Sequence, residues 1–77
     1  APGTDGAPAS SLQADELAAL RRRAGAGEAQ ALFELAERHE TGRGVTADKG
    51  EARRLYTLSL EAGNELARAR LERLGAR

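Results

Sequence analysis

Glycines divide this chain at intervals that suit short helices and little else. Gly25 and Gly27, Gly42 and Gly44, and Gly63 separate stretches in which Leu and Ala return every three or four residues, the spacing that lines up side chains on one face of an α-helix. A glycine at each boundary supplies the positive φ that lets a helix end within a single turn. The apolar residues suit this punctuation, with 17 Ala and 11 Leu but one Val, no Ile, one Phe and one Tyr. Good helix formers abound, and the β-branched and aromatic residues that favour strands are nearly missing. An all-α fold is expected.

Residues 1–10, APGTDGAPAS, hold both prolines, two glycines and no large apolar side chain. They bury too little to offset the entropy of ordering, and are expected to form a disordered linker ahead of a helical domain over 11–77. A first helix is expected from Ser11, capped by Ser11 or Asp15, with Leu17, Leu20 and Ala24 inward and Gly25 and Gly27 as its stop. A second runs from Glu28 to Thr41 with Ala31, Leu32, Leu35, Ala36 and His39 on its stripe. After the loop RGVTADKG, a third over Glu51 to Ala62 places Ala52, Leu55, Tyr56 and Ser59 inward, extended by Leu58. Asp48 is its cap, with Glu51 three residues on. The fourth, Glu65 to Leu74, is capped by Asn64, buries Ala67, Leu71 and Leu74, and carries Arg68, Arg70 and Arg73 on its other faces.

Gly27, Ala31 and Leu35 return 36 residues later as Gly63, Ala67 and Leu71 (27 to 63, 31 to 67, 35 to 71). Each triple has one physical logic: glycine turns the chain, alanine lets two helices approach closely, and leucine fills the layer between them. Within this frame stand Ala29 and Ala31, Phe33, Leu35 with Ala36, His39, Gly42 to Val45 with Asp48, Ala52, Leu55 with Tyr56, and Gly63. In these positions the stretch Gly27 to Leu71 resembles the Sel1-like repeat, a relative of the tetratricopeptide repeat, and the GRGVTAD loop is the most specific part of the likeness. Ala36 stands where that pattern has glycine, His39 where it has an aromatic, Thr46 where it has proline and Leu55 where it has tryptophan.

The resemblance implies a short α-solenoid of about four antiparallel helices: half a repeat over Leu12 to Ala26, one full repeat, and half a repeat over Asn64 to Gly75. Glu72, charged where a small residue would admit a further helix, marks the last helix as a polar cap. A generic Ala/Leu helical hairpin bundle is the alternative.

Chemistry is sparse. Twelve basic side chains balance twelve acidic ones, which argues against a nucleic-acid partner, and no apolar run is long enough to span a bilayer. Without cysteine there is neither a disulfide nor a Cys-based zinc site. The single histidine, His39, falls on the apolar stripe and has no second ligand at metal spacing, so it is read as packing. Arg21, Arg22 and Arg23 point about 100° apart on a helix and are read as a solvated end that favours the helix dipole. The GRGV segment lacks the phosphate-loop frame. None of Ser10, Ser11 and Ser59 has the surroundings of a nucleophile, and the Asp-Ser-Leu and acidic surface of an acyl carrier are missing. No catalysis, cofactor or metal is expected. Eleven Arg against one Lys suggests a bacterial source, with the compartment left open between envelope and cytoplasm.

Binding remains. In repeats of this kind the first helix of each pair lines a concave groove for a peptide or a partner's helix, so the resemblance implies a protein-interaction adaptor. That helix would present Gln30, Phe33, Glu37, Glu40 and Thr41, continued on the fourth helix by Leu66, Ala69 and Arg73. Two acids beside Arg73 would read a peptide bearing a basic residue, held by hydrogen bonds and Phe33. Self-association through open helix faces, or service as a regulatory appendage of a larger protein, are the alternatives.

Overall fold

A computed structural model describes residues 7–75 of the chain, with side chains over 14–75. Four α-helices follow one another, α1 Ala7–Gly25, α2 Ala29–Thr41, α3 Lys49–Glu61 and α4 Leu66–Gly75, with no strand among the described residues. Each helix packs chiefly on its neighbour in sequence, most extensively α2 on α3.

The core follows the apolar stripes. Leu17, Leu20 and Ala24 of α1, Ala31, Leu32, Leu35 and Ala36 of α2, and Ala52, Leu55 and Tyr56 of α3 are buried in one cluster. Val45 from the loop and Leu60, Leu71 and Leu74 pack against its edge. Ser59 is fully buried, and its Oγ donates to the Ala29 carbonyl at 2.7 Å, so its hydroxyl is satisfied by the first turn of α2. The fourth helix differs from expectation: Ala67 alone is buried, while Leu71 and Leu74 are half-buried. Leu58 also departs from the stripe, being 37% exposed.

The helix boundaries are set by the residues the sequence singles out, with one exception. Asp48 accepts from the Glu51 amide at 3.0 Å and Asn64 from the Leu66 amide at 3.0 Å, each satisfying an otherwise orphaned first-turn donor. The exception is α1. It begins at Ala7, so Ser11 and Asp15 lie inside the helix and neither is its cap, and residues 7–10 of the expected linker are helical. Ala7 and Ala9 are strong helix formers, and Pro8 falls in the first turn, where its missing N–H would have had no helical partner. The remainder of the linker, residues 1–6, lies outside the described residues.

The two glycine turns between α1 and α2 and between α3 and α4 are closed by the same bonds. Gly27 N–H donates to Ala24 O at 2.9 Å and Glu28 N–H to Arg23 O at 3.1 Å; Gly63 N–H donates to Leu60 O and Asn64 N–H to Ser59 O, both at 3.0 Å. Gly27 and Gly63 have φ of 87° and 112°, a conformation that costs a side-chain-bearing residue about 1 kcal/mol or more. The longer α2–α3 loop is tied at both ends. Gly42 at φ 78° closes α2 through Arg38 O, and the Asp48 amide donates to His39 O at 2.8 Å.

Candidate functional site

One ion-paired network covers the face shared by α2 and α4. Arg70 of α4 donates through Nη1 to Glu37 Oε2 at 2.8 Å and to Tyr56 Oη at 3.2 Å. Tyr56 in turn donates to Glu40 Oε1 at 2.8 Å, and Arg73 reaches the other oxygen of Glu40. The chain Glu37, Arg70, Tyr56, Glu40, Arg73 thus joins three helices, with the two arginines donating, the two glutamates accepting and the Tyr56 hydroxyl doing both. Beneath it the Arg70 guanidinium lies 4.9 Å from the centroid of the Phe33 ring, and Phe33 meets Tyr56 edge to face at 5.4 Å, geometries that match the ring quadrupole.

Burial makes the network consequential. Loss of solvent pushes the Glu40 carboxyl up, but the hydrogen bonds from Tyr56 and Arg73 and the charges of Arg73 and Arg70 outweigh it and hold Glu40 below its ordinary value. The Tyr56 phenol is pushed up to about 12, first by burial and then by its bond to the Glu40 carboxylate, against an opposing pull from Arg70. Burial lowers Arg70, yet its bonds to Glu37 and Tyr56 raise it further, so it stays charged.

Above the network lies a depression of about 450 Å³. Gln30, Glu37, Glu40 and Thr41 line it from α2, and Arg73 from α4, so five of the eight residues expected at a groove meet around one space. Phe33 does not join them. It is buried, because Arg70 lies over its ring and takes the place a ligand would need. Leu66 is exposed at the start of α4 and Ala69 is exposed as well, but neither lines the depression. Arg70, which the sequence assigned only to the helix's other faces, is the residue that organises the site. Glu37 and Glu40 are both occupied by arginines of the chain itself.

Elsewhere, His39 is half-buried on α2, and its Nδ1 has no hydrogen-bond partner. Among the described residues no group of three or more His, Asp or Glu is placed to hold a metal ion, and no helix is long and apolar enough to cross a membrane. No family model, curated protein or solved structure matches the chain.

Proposed function

We propose that the chain is a protein-interaction module, a short antiparallel α-solenoid of the Sel1-like kind that holds a peptide or a partner's helix in the depression between α2 and α4. The 36-residue recurrence supports the repeat reading at the level of single bonds. Ala24 and Leu60, Arg23 and Ser59, Gly27 and Gly63, and Glu28 and Asn64 play matching parts in the two turns, and Ala31 and Ala67 are both fully buried behind them. The observation that carries the function is the depression itself, lined by five of the residues at which the resemblance implies a partner groove. A groove with a fixed floor pre-pays part of the ordering cost of binding, because Arg70, Tyr56 and Glu40 are already held by one another.

Pull-down from an extract of the source cell tests the reading. The chain with Glu37→Ala and Arg73→Ala together, checked for helicity by circular dichroism, is expected to lose its captured partner. Unchanged capture overturns the groove assignment.

A further inference from the structure

The groove holds more hydrogen-bond donors than its acceptors use, and we infer that it takes an acidic peptide segment, gripped through its carboxylates by Arg43 and Arg73. This inference rests on the interaction reading above and names the chemistry of the partner. Glu40 gives one oxygen to Tyr56 and the other to Arg73, Glu37 takes Arg70, and Glu34 takes the Gln30 amide at 2.8 Å. Each carboxylate of the groove thus already holds a donor of the chain itself, and Glu40 has both oxygens engaged.

The donors of the groove are less fully used. Each guanidinium carries about five N–H groups. Arg73 turns Nη2 to Glu40 while its side chain stays 58% exposed, and Arg43 is exposed with no ion pair or side-chain hydrogen bond among the described residues. A basic residue from a partner would have to displace Tyr56 or Arg73 to reach Glu40, and would share Glu37 with Arg70. An acidic residue meets open N–H groups, and planar carboxylate matches guanidinium in the two-bond geometry that single cations lack. Of the four arginines that line the depression, Arg38 pairs with Glu16, Arg70 with Glu37 and Arg73 with Glu40, which leaves Arg43 as the one without an ion pair among the described residues.

Random displayed peptides selected on the full chain test the inference, with winners synthesised and measured by fluorescence polarisation. Thr41→Trp fills the depression and identifies groove binders; Gln30→Trp serves instead if circular dichroism shows the first variant to be unfolded. Arg43→Glu reverses charge at a side chain that supports no described contact. Groove binders are expected to be rich in Asp and Glu, to weaken on addition of salt, and to lose at least about fivefold in affinity against Arg43→Glu. Groove binders that are neutral or basic and bind Arg43→Glu as well or better overturn the acidic assignment and leave the interaction module standing. If no selected peptide is sensitive to the groove-filling variant, both readings fall.

Discussion

The interface of α2 with α3 and the attachment of α4 are built on opposite principles. Between α2 and α3 the contact is chiefly apolar, with Ala31, Ala36, Ala52 and Tyr56 all at zero exposure, Leu35 and Leu55 buried with them, and two hydrogen bonds, Ser59 to Ala29 and Tyr56 to Glu40, at its edges. The fourth helix buries only Ala67 and is pinned instead by Arg70 and Arg73, which reach back 33 residues to Glu37 and Glu40. Burial of leucine and alanine is insensitive to salt and to mild acid, whereas charge-assisted bonds depend on both. One domain therefore contains a helix pair that sets the fold and a helix whose docking responds to its surroundings.

Mutations divide along this line. Leu35→Ala strikes the α2–α3 interface and is expected to cost about 2–5 kcal/mol, a large share of what so short a chain can have; thermal melting by circular dichroism should show a fall in melting temperature for all helices together. If only part of the helical signal melts early, that interface is not the common element it is taken to be. Tyr56→Phe keeps the ring and the contact with Phe33 but removes the donor to Glu40 and the acceptor for Arg70. A loss of about 1–3 kcal/mol is expected, felt first as faster amide hydrogen exchange in α4 than in α2. Equal acceleration in both helices would erase the distinction between them.

Acid sharpens the same contrast. Because Glu40 is held below its ordinary value in the fold, the stability it contributes is fully present above the unfolded-state value near 4.5 and is lost as pH falls through the lower folded value. Melting temperature should drop below about pH 4.5 in the wild type and drop less in Glu40→Gln, measured over the same series. The smallest effect belongs to Arg54→Ala. Its partner Glu51 is three residues away on the same helix, and the pair lies at the surface, so no resolvable change in melting temperature is expected.

Local features of the fold are legible in the residues, and long-range side-chain pairing is not. Asp48, Asn64, Gly27, Gly42 and Gly63 each act over one turn of chain, and periodicity finds the buried stripes because burial follows helical phase. The start of α1 was hidden by composition, since proline and glycine in residues 1–10 masked the two alanines of its first turn. Phe33 was misplaced for a different reason. Its exposure depends on Arg70, 37 positions further on (33 to 70), and nothing in the spacing of α2 states what will lie over it. A usable signal did exist: Glu37 and Glu40 face Arg70 and Arg73 at one fixed step of 33 residues, about one helical turn short of the 36-residue recurrence.

Tyr56 gives the chain an internal optical probe. It is the one tyrosine in a protein without tryptophan, and its hydroxyl donates to a carboxylate, an arrangement that drains phenol emission by proton transfer in the excited state. Emission near the tyrosine maximum should therefore be dim while Tyr56 of α3 stays bonded to Glu40 of α2 and brighten when that bond opens. Whatever enters the groove and draws Glu40 away from Tyr56 would then announce itself in the protein's own light, with no label attached.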